Sequence, residues 1–119
     1  MTDKEEIKDG PHETFYENGQ LEKRVNFKKG KQDGLWEGYY ENGQLQSRGN
    51  YKNGKRDGLT EIFNAKGKLK YRENYKNGKR DGLTEIYVKG QLKIRKTYVD
   101  GHLKMKQLNW FSRKQKSMF

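Results

Sequence analysis

The side chains that could do acid–base, nucleophilic or metal chemistry in this chain are few. An enzyme needs a nucleophile, a base or a metal held close to its partners. The chain has two histidines and no cysteine. The histidines, His12 and His102, stand near opposite ends of the sequence, so they cannot pair within one protomer. We therefore predict a protein that is not an enzyme and uses no cofactor.

Aspartates recur directly before a glycine, at Asp33, Asp57 and Asp81. Carboxylates in such positions commonly accept hydrogen bonds from nearby backbone N–H groups and stabilise turns. The alternative is a repeated calcium site, which is disfavoured where basic residues precede the acid, as in Lys55-Arg56-Asp57. We therefore expect these aspartates to act in turns and predict no metal site.

These aspartates belong to a tandem repeat with a period of 24 residues. The segment Asn50–Ile62 (NYKNGKRDGLTEI) recurs unchanged as Asn74–Ile86. Four units open at Gly10, Gly34, Gly58 and Gly82, and the fourth has lost one residue between Val88 and Gly90. Such a period is typical of arrays whose units bury too little surface alone and gain stability by stacking. We therefore expect function on a shared surface rather than in a cleft.

Each unit has the pattern of a β-hairpin. Short runs rich in Tyr, Leu and Ile, separated by Asn-Gly, are typical of strands joined by tight turns. The loop Glu-Asn-Gly of the second unit is predicted to end in a left-handed Gly43 and to close a G1 bulge. In the fourth unit, Lys89-Gly90 predicts a two-residue loop that keeps Tyr87 opposite Leu92. The predicted fold class is all-β, with the tandem hairpins forming one antiparallel meander.

Three apolar columns run through the four units. They are the first aromatic column Phe15, Tyr39, Phe63 and Tyr87, the leucine column Leu21, Leu45, Leu69 and Leu92, and the second aromatic column Phe27, Tyr51, Tyr75 and Tyr98. Counted by strict alternation, all three columns share one parity. We therefore expect them on one apolar face, with Lys and Arg dominating the opposite face.

Two charged columns also persist through the units. They are Glu13, Glu37, Glu61 and Glu85 on the first strands, and Arg24, Arg48, Arg72 and Arg95 on the second strands. One interpretation is a ladder of surface ion pairs or solvated charges, each contributing about 0–1 kcal/mol to stability. The alternative is a repeated contact point for a partner.

The composition limits both the core and the partners. Hydrophobic residues make up 29% of the 119 residues and charged residues 36%, so we expect one domain without a thick core. The net charge of +11 favours acidic proteins, anionic lipid surfaces or nucleic acid as partners. Because the chain lacks cysteine, a secretory apolar region and a long apolar run, we predict a cytoplasmic protein, at most peripheral at the inner membrane surface.

The two ends depart from the repeat. Residues 1–9 are predicted to form an N-terminal cap or frayed segment, residues 10–101 the four repeats, and residues 102–119 a capping strand with a basic and aromatic tail. In an alternative interpretation, this last segment docks on a partner or an anionic membrane, with Trp110 and Phe111 supplying apolar contacts. The basic residues of that anionic-surface site are Lys104, Lys106, Arg113, Lys114 and Lys116.

The segments YYENGQL (39–45) and YKNGKRDGL (51–59) resemble the MORN repeat, the membrane occupation and recognition nexus. The usual Y-E-G-E-W core has only a loose counterpart at residues 35–39, so the chain is more similar to the MORN-variant repeats of bacterial antitoxin-family proteins. The resemblance covers residues 10 to about 105. It implies an elongated, twisted, single-layer sheet of β-hairpins that holds proteins or, in some relatives, anionic phospholipids. For bacterial variants it implies the antitoxin of a toxin–antitoxin pair.

Our first functional hypothesis is a non-catalytic scaffold that binds a protein partner, such as a cognate toxin that it neutralises. A row of exposed aromatic side chains is a larger apolar patch than a lone monomer usually tolerates. The candidate partner-binding residues are Trp36, Tyr39, Tyr40, Tyr51, Phe63, Tyr75, Tyr87, Trp110 and Phe111. The alternative hypothesis is peripheral binding to an anionic phospholipid membrane through the basic face and tail. Nucleic-acid binding and self-association through the terminal strands are further options.

Overall fold

The computed structural model describes residues 7–108, which form one antiparallel sheet and no helix. The strands are β1 (Gly10–Phe15), β2 (Leu21–Lys28), β3 (Lys31–Gln32), β4 (Gly34–Tyr39), β5 (Leu45–Lys52), β6 (Lys55–Arg56), β7 (Gly58–Phe63), β8 (Leu69–Lys76), β9 (Lys79–Val88), β10 (Gln91–Val99) and β11 (His102–Leu108). The main strands follow chain order, β1-β2-β4-β5-β7-β8-β9-β10-β11, while β3 pairs with β2 and β6 with β5. The predicted fold class is confirmed. Within the described residues, no helix could cross a membrane.

The sheet is a single layer that measures 69 × 37 × 17 Å. All eleven strands of residues 7–108 belong to this one sheet, so no second sheet of the described residues packs against it. Among residues 7–108, Tyr98 is the one buried hydrophobic residue, at 8% exposure. The fold is therefore held by its backbone ladder and by cross-strand side-chain contacts rather than by a core.

Two kinds of turn alternate along the chain. The two-residue turns place both central residues at positive φ, with 51° at Asn53 and 83° at Gly54, which is the type I′ geometry that follows the right-handed twist of the strands. At the other ends of the strands, the three-residue loop of the second unit closes when the Tyr40 N–H donates to the Gln44 carbonyl. That loop ends in Gly43 with φ of 89°, as predicted.

The missing residue of the fourth unit shortens one turn and preserves the pairing around it. Lys89 and Gly90, with φ of 52° and 80°, form a two-residue turn between β9 and β10. Tyr87 still pairs with Leu92. The predicted register of this hairpin is confirmed.

A β-bulge in the second strand of each unit alters the predicted distribution of the apolar columns. In β5 the pairing passes from Leu45 directly to Ser47, so Gln46 has no partner of its own. One extra residue reverses the alternation of side chains beyond it. Tyr51 therefore lies on the face opposite to Tyr39, and the prediction that the three columns share one face is wrong. The corresponding extra residues in the other units are Glu22, Lys70 and Lys93.

We name the two faces after the residues that they carry. The leucine face holds Leu35, Leu59 and Leu83 together with the first aromatic column, the leucine column and both charged columns. The tyrosine face holds Tyr51, Tyr75 and Tyr98. The expectation that Lys and Arg dominate one face is also wrong, because the arginine column stands on the leucine face beside the first aromatic column.

The aspartates that precede the glycines join neighbouring units through their turns. The backbone N–H of Asn53 donates to Asp33 Oδ2 at 3.0 Å, and the N–H of Asp100 donates to Asp81 Oδ1 at 3.0 Å. Each carboxylate thus binds the type I′ turn that lies about one period further along the chain. The predicted turn role is confirmed for these two aspartates.

Candidate binding surfaces

A ladder of alternating charges crosses the leucine face from β1 to β10. Each member pairs in register with the next, in the order Glu13, Arg24, Glu37, Arg48, Glu61, Arg72, Glu85 and Arg95. Nε of Arg24 lies 2.7 Å from Oε2 of Glu13, and Nε of Arg48 lies 2.8 Å from Oε1 of Glu61. The predicted ladder of ion pairs is therefore present. Because its charges alternate, it adds nothing to the net charge of the face.

The glutamates in the middle of this ladder are less exposed than the glutamate at its end. The side chain of Glu13 is 35% exposed, whereas that of Glu61 is 11% exposed. The guanidinium of Arg48 lies over the ring of Phe63, with its central carbon 5.6 Å from the ring centroid, close enough for a cation–π contact. Neighbouring units thus cover the central glutamate, while its partner Arg48 remains 50% exposed.

Three leucines at the same position of successive units form an exposed row beside the ladder. Leu35, Leu59 and Leu83 are 48%, 38% and 40% exposed. They lie on β4, β7 and β9, so neighbours in the row are two strands apart, or about 10 Å. Met105, 54% exposed, extends the row because Thr97 pairs with both Leu83 and Met105. Exposed apolar rows of this kind are typical of protein-binding surfaces.

Three of the predicted partner-binding residues lie on the same face as this row. Tyr39, Phe63 and Tyr87 are half-buried and alternate with the leucine column. The pKa of Tyr39 is raised, first by burial and then by the charge and hydrogen bonding of Glu37. Phe15, which was not among the predicted residues, is the most exposed member of this column at 57%.

Tyr40 is placed differently from the other predicted aromatic residues. It lies in the turn after β4, and its hydroxyl donates a hydrogen bond to the carbonyl oxygen of Phe63 at 2.7 Å. Asn42 in the same turn donates to the carbonyl of Ala65 at 3.1 Å. Tyr40 therefore joins the second unit to the third, and its hydroxyl is already bound within the chain.

Trp36 and Tyr51 lie together on the tyrosine face. Their rings meet edge to face with centroids 6.4 Å apart. The indole covers Gly49, where an added Cβ would lie 2.7 Å from Nε1 of Trp36. This Nε1 is buried and has no hydrogen-bond acceptor in the described structure. The later units have Thr60 and Thr84 at the position of Trp36, so this arrangement belongs to the second unit.

A shallow hollow lies next to this tryptophan. Its volume is about 230 Å³, and its lining includes Val25, Gly38 and Ser47. The third unit fills the corresponding positions with Ile62 and Tyr71. With its volume of about 230 Å³, the hollow is smaller than typical small-molecule pockets, which measure about 300–1,000 Å³.

Tyr75 is held by a cluster of charged side chains around Glu73. Glu73 is 2% exposed and accepts a hydrogen bond from the Tyr75 hydroxyl. Arg56 donates to the same hydroxyl at 2.9 Å and lies over the Tyr75 ring at 5.1 Å. Burial, followed by the hydrogen bond with Glu73, raises the pKa of Tyr75. The polar groups of Tyr75, Glu73 and Arg56 are thus bound to one another, whereas the leucine row has open apolar surface.

Lysines concentrate at the ends of the strands that carry the type I′ turns. We call this edge the lysine rim, and it consists of Lys28, Lys29, Lys31, Lys52, Lys55, Lys76 and Lys79. All seven are exposed. Within residues 7–108, each recorded ion pair joins an arginine to a glutamate. The rim therefore holds positive charge that no carboxylate of the described chain neutralises by direct pairing.

The residues predicted from the C-terminal segment are only partly described. Lys104 and Lys106 lie on the exposed strand β11. Trp110, Phe111, Arg113, Lys114 and Lys116 fall outside the described residues. His12 and His102 lie on β1 and β11, the two edge strands, and residues 7–108 contain no group of three or more potential metal ligands.

The described part of the chain is a single layer of stacked hairpins that presents open faces rather than a deep cleft. This architecture defines a repeat scaffold. The family model described as the MORN repeat variant matches residues 8–29, 32–53 and 56–77. These segments make up more than half of the chain, which belongs to the MORN repeat variant family. Repeats of this kind are generally non-catalytic and commonly bind proteins or lipids. No curated protein matches the chain.

Proposed function

We propose that this protein is a scaffold that binds a protein partner through its leucine face. The observation that carries the proposal is the exposed row of Leu35, Leu59 and Leu83, which the repeat places at one position of three successive units. Burying the exposed part of each leucine would contribute on the order of 1 kcal/mol. Three such contacts together correspond to about a 100-fold gain in affinity.

The charge ladder beside the row supports a protein as the occupant of this face. Its ion pairs are internally neutral, so an apolar patch of the partner can approach without meeting a field of one sign. Apolar contacts bordered by charged groups are the usual anatomy of a protein interface. The half-buried aromatic rings of Tyr39 and Phe63 widen the apolar area on the other side of the ladder.

Replacement of the row by threonine tests the proposal. Leu35→Thr, Leu59→Thr and Leu83→Thr together remove apolar surface and keep residues that favour strands. Val88→Thr is the matched control, because Val88 is 48% exposed and lies outside the row. We expect the triple variant to lose the protein that the natural chain captures, while Val88→Thr retains it. Capture by a folded triple variant at undiminished affinity would contradict the proposal.

A finer form of the proposal is that the partner is a toxin, which this protein neutralises in the cytoplasm. It is supported by the sequence resemblance to antitoxin-family proteins. The test is to express the captured protein in a bacterial host with and without this chain. Growth arrest that is relieved by the natural chain, but not by the leucine-row variant, is the expected result. A captured protein that leaves growth unchanged would contradict the toxin assignment and leave the scaffold proposal intact.

A second candidate function is peripheral binding to an anionic membrane through the lysine rim. The observation in its favour is the line of seven exposed lysines, which form no ion pair with a carboxylate of residues 7–108. Each basic residue close to an anionic surface contributes about 1 kcal/mol, and salt screens this attraction. The type I′ turns would then touch the inner membrane surface, with the strands directed away from it.

Vesicle sedimentation tests this second candidate. Vesicles of phosphatidylcholine with phosphatidylserine should retain the natural chain at low salt and release it at high salt. Replacing Lys52, Lys55 and Lys76 by glutamine should abolish retention. Replacing Lys66, Lys68 and Lys70, which lie at or near the opposite turns, makes the same change in net charge and should have a smaller effect. Equal losses from both variants would show that net charge alone matters and would exclude the rim as a site.

A further inference from the structure

We propose that β11 is a docking edge for an acidic, extended segment of a partner protein, which adds to the sheet as a further strand. The proposal does not depend on the leucine row, although Met105 of β11 extends that row. Addition of a peptide strand to an exposed sheet edge is a recurrent mode of recognition, in which backbone hydrogen bonds supply affinity and alternate side chains supply specificity.

The backbone of β11 is paired on one side. It pairs with β10, and no other described strand lies beyond it. In the second, third and fourth units, the strands at the corresponding position, β4, β7 and β9, have neighbours on both sides. All seven residues of β11 are exposed. Its outer N–H and C=O groups are therefore a template for another strand.

The charges of β11 favour binding of an acidic segment. Lys106 lies directly opposite Lys96, and like charges in this arrangement destabilise a sheet. Lys96 occupies the position that Glu73 holds one unit earlier. Lys104 adds a further positive charge, and β11 contains no acid. A carboxylate opposite Lys106 would relieve the repulsion between the two lysines.

The apolar residues of β11 define the rest of the pattern. Leu108 pairs with Ile94, and Leu103 pairs with Tyr98, so both lie on the tyrosine face with Lys106. Met105 lies on the leucine face. The matching strand therefore has an acidic residue opposite Lys106, with apolar residues opposite the two flanking leucines.

Charge disfavours occupation of this edge by the protein itself. The sheet path has an odd number of strands, so β1 and β11 run in the same direction, and an antiparallel contact between copies that keeps each face of the sheet continuous needs β11 against β11. That contact would place Lys104 and Lys106 against the same lysines of the second copy. Residues 109–119 are basic and contain no acid, so they would repeat the positive charge of the edge.

Peptide binding to the full chain tests the proposal. The probe is a fluorescent peptide of about 10 residues, twice a typical strand length, in which one central Glu has Val or Ile two residues away on each side. The reference peptide has Lys in place of Glu. We expect the acidic peptide to bind and the basic peptide not to bind, as measured by fluorescence anisotropy. Hydrogen exchange should show new protection of β11 amides when the acidic peptide is bound.

Charge reversal at one residue supplies the decisive comparison. Lys106→Glu should weaken binding of the acidic peptide at least about tenfold, equivalent to 1.4 kcal/mol, and should allow the basic peptide to bind. Lys68→Glu makes the same change in net charge at an exposed turn residue and should leave both affinities near those of the natural chain. The gain of binding by Lys106→Glu cannot arise from an unfolded variant.

Four outcomes would overturn the proposal. The first is that neither peptide binds, which would mean that the lysines prevent strand addition at this edge. The second is that Lys106→Glu and Lys68→Glu behave alike. The third is that the acidic peptide binds only after residues 109–119 are removed, which would make that segment the occupant. The fourth is a dimer in light scattering with β11 already protected from exchange, which would make a second copy the occupant.

Discussion

The hydroxyl of Tyr75 donates a hydrogen bond to Oε1 of Glu73 at 2.5 Å, two residues earlier on the same strand. The other carboxylate oxygen lies 2.5 Å from Nε of Arg80. Glu73 is 2% exposed although the protein has a single layer. Long side chains from the same and neighbouring strands cover the charge, so burial in this fold is produced by contacts across strands.

We predict that Glu73→Ala destabilises the fold far more than Glu13→Ala. Loss of Glu73 leaves the Tyr75 hydroxyl without its acceptor and Arg80 without its ion-pair partner, and because the Arg80 side chain is still 43% exposed, we expect a cost of about 2–3 kcal/mol. Glu13 is exposed, and its loss should cost less than about 1 kcal/mol. Urea denaturation followed by circular dichroism measures both. Equal costs would contradict the buried cluster.

Alkaline pH should destabilise the protein through two half-buried tyrosines. Burial first, and then hydrogen bonding with Glu73, raise the pKa values of Tyr71 and Tyr75 above the ordinary value of 10.0. Above about pH 10 the unfolded chain then binds fewer protons than the folded chain, so the free energy of unfolding decreases as pH rises. Below that pH both tyrosines are protonated in the folded and the unfolded chain, so they do not make the free energy of unfolding depend on pH. Urea midpoints measured between pH 8 and pH 12 test this prediction. In Tyr75→Phe the midpoint should fall less steeply with rising pH than in the natural chain.

We expect Lys29→Asn to stabilise the protein. Lys29 has φ of 52° in a type I′ turn, a conformation that costs most L-residues about 1–2 kcal/mol and that asparagine tolerates better. The two following units already have Asn53 and Asn77 at this position, each with φ of 51°. A gain on the order of 0.5 kcal/mol is expected. Lys52→Asn, outside the positive-φ positions, is the control and should give no gain.

Trp36 and Gly49 should show strong energetic coupling. Gly49→Ala places a Cβ against the indole, and overpacking of this kind typically costs about 1–3 kcal/mol. In the third unit the tryptophan position is Thr60, which leaves room for a larger partner. We therefore expect Gly49→Ala to be less costly in a Trp36→Thr background. A double-mutant cycle on unfolding free energies measures the coupling, and strict additivity would contradict the contact.

The strands and turns of this fold could be predicted from sequence because their determinants are local. Asn-Gly and Lys-Gly pairs specify turns that need positive φ, and the repeat shows the same determinant several times. The pairing of Tyr87 with Leu92 followed from the turn length alone. The all-β single-layer architecture was accordingly predictable.

The distribution of residues between the two faces was not predictable by counting. The bulge at Gln46 reverses the alternation, and nothing in the type of that residue marks it, since Glu22 and Lys70 hold the same place in other units. The bulge arises from the whole hairpin, whose loop and strand twist must fit together. One unpaired residue therefore moved Tyr51 to the other face.

The exposed leucine row was missed although the sequence carries a signal for it. Asp-Gly-Leu recurs in three units and ends at Leu35, Leu59 and Leu83. The predicted partner-binding residues include Tyr40, whose hydroxyl binds the neighbouring unit, and do not include these leucines. Exposure depends on which neighbours cover a residue, and those neighbours are set by the register of the sheet.

The most direct test of the scaffold account is capture from the native cell lysate at moderate and high salt, followed by quantitative mass spectrometry. The baits are the natural chain, the leucine-row triple variant and the rim variant that lacks Lys52, Lys55 and Lys76. The account predicts one protein that the natural chain and the rim variant retain at high salt, and that the leucine-row variant loses. Retention of that protein by all three baits, or binding of lipid or nucleic acid alone that vanishes at high salt, would contradict it.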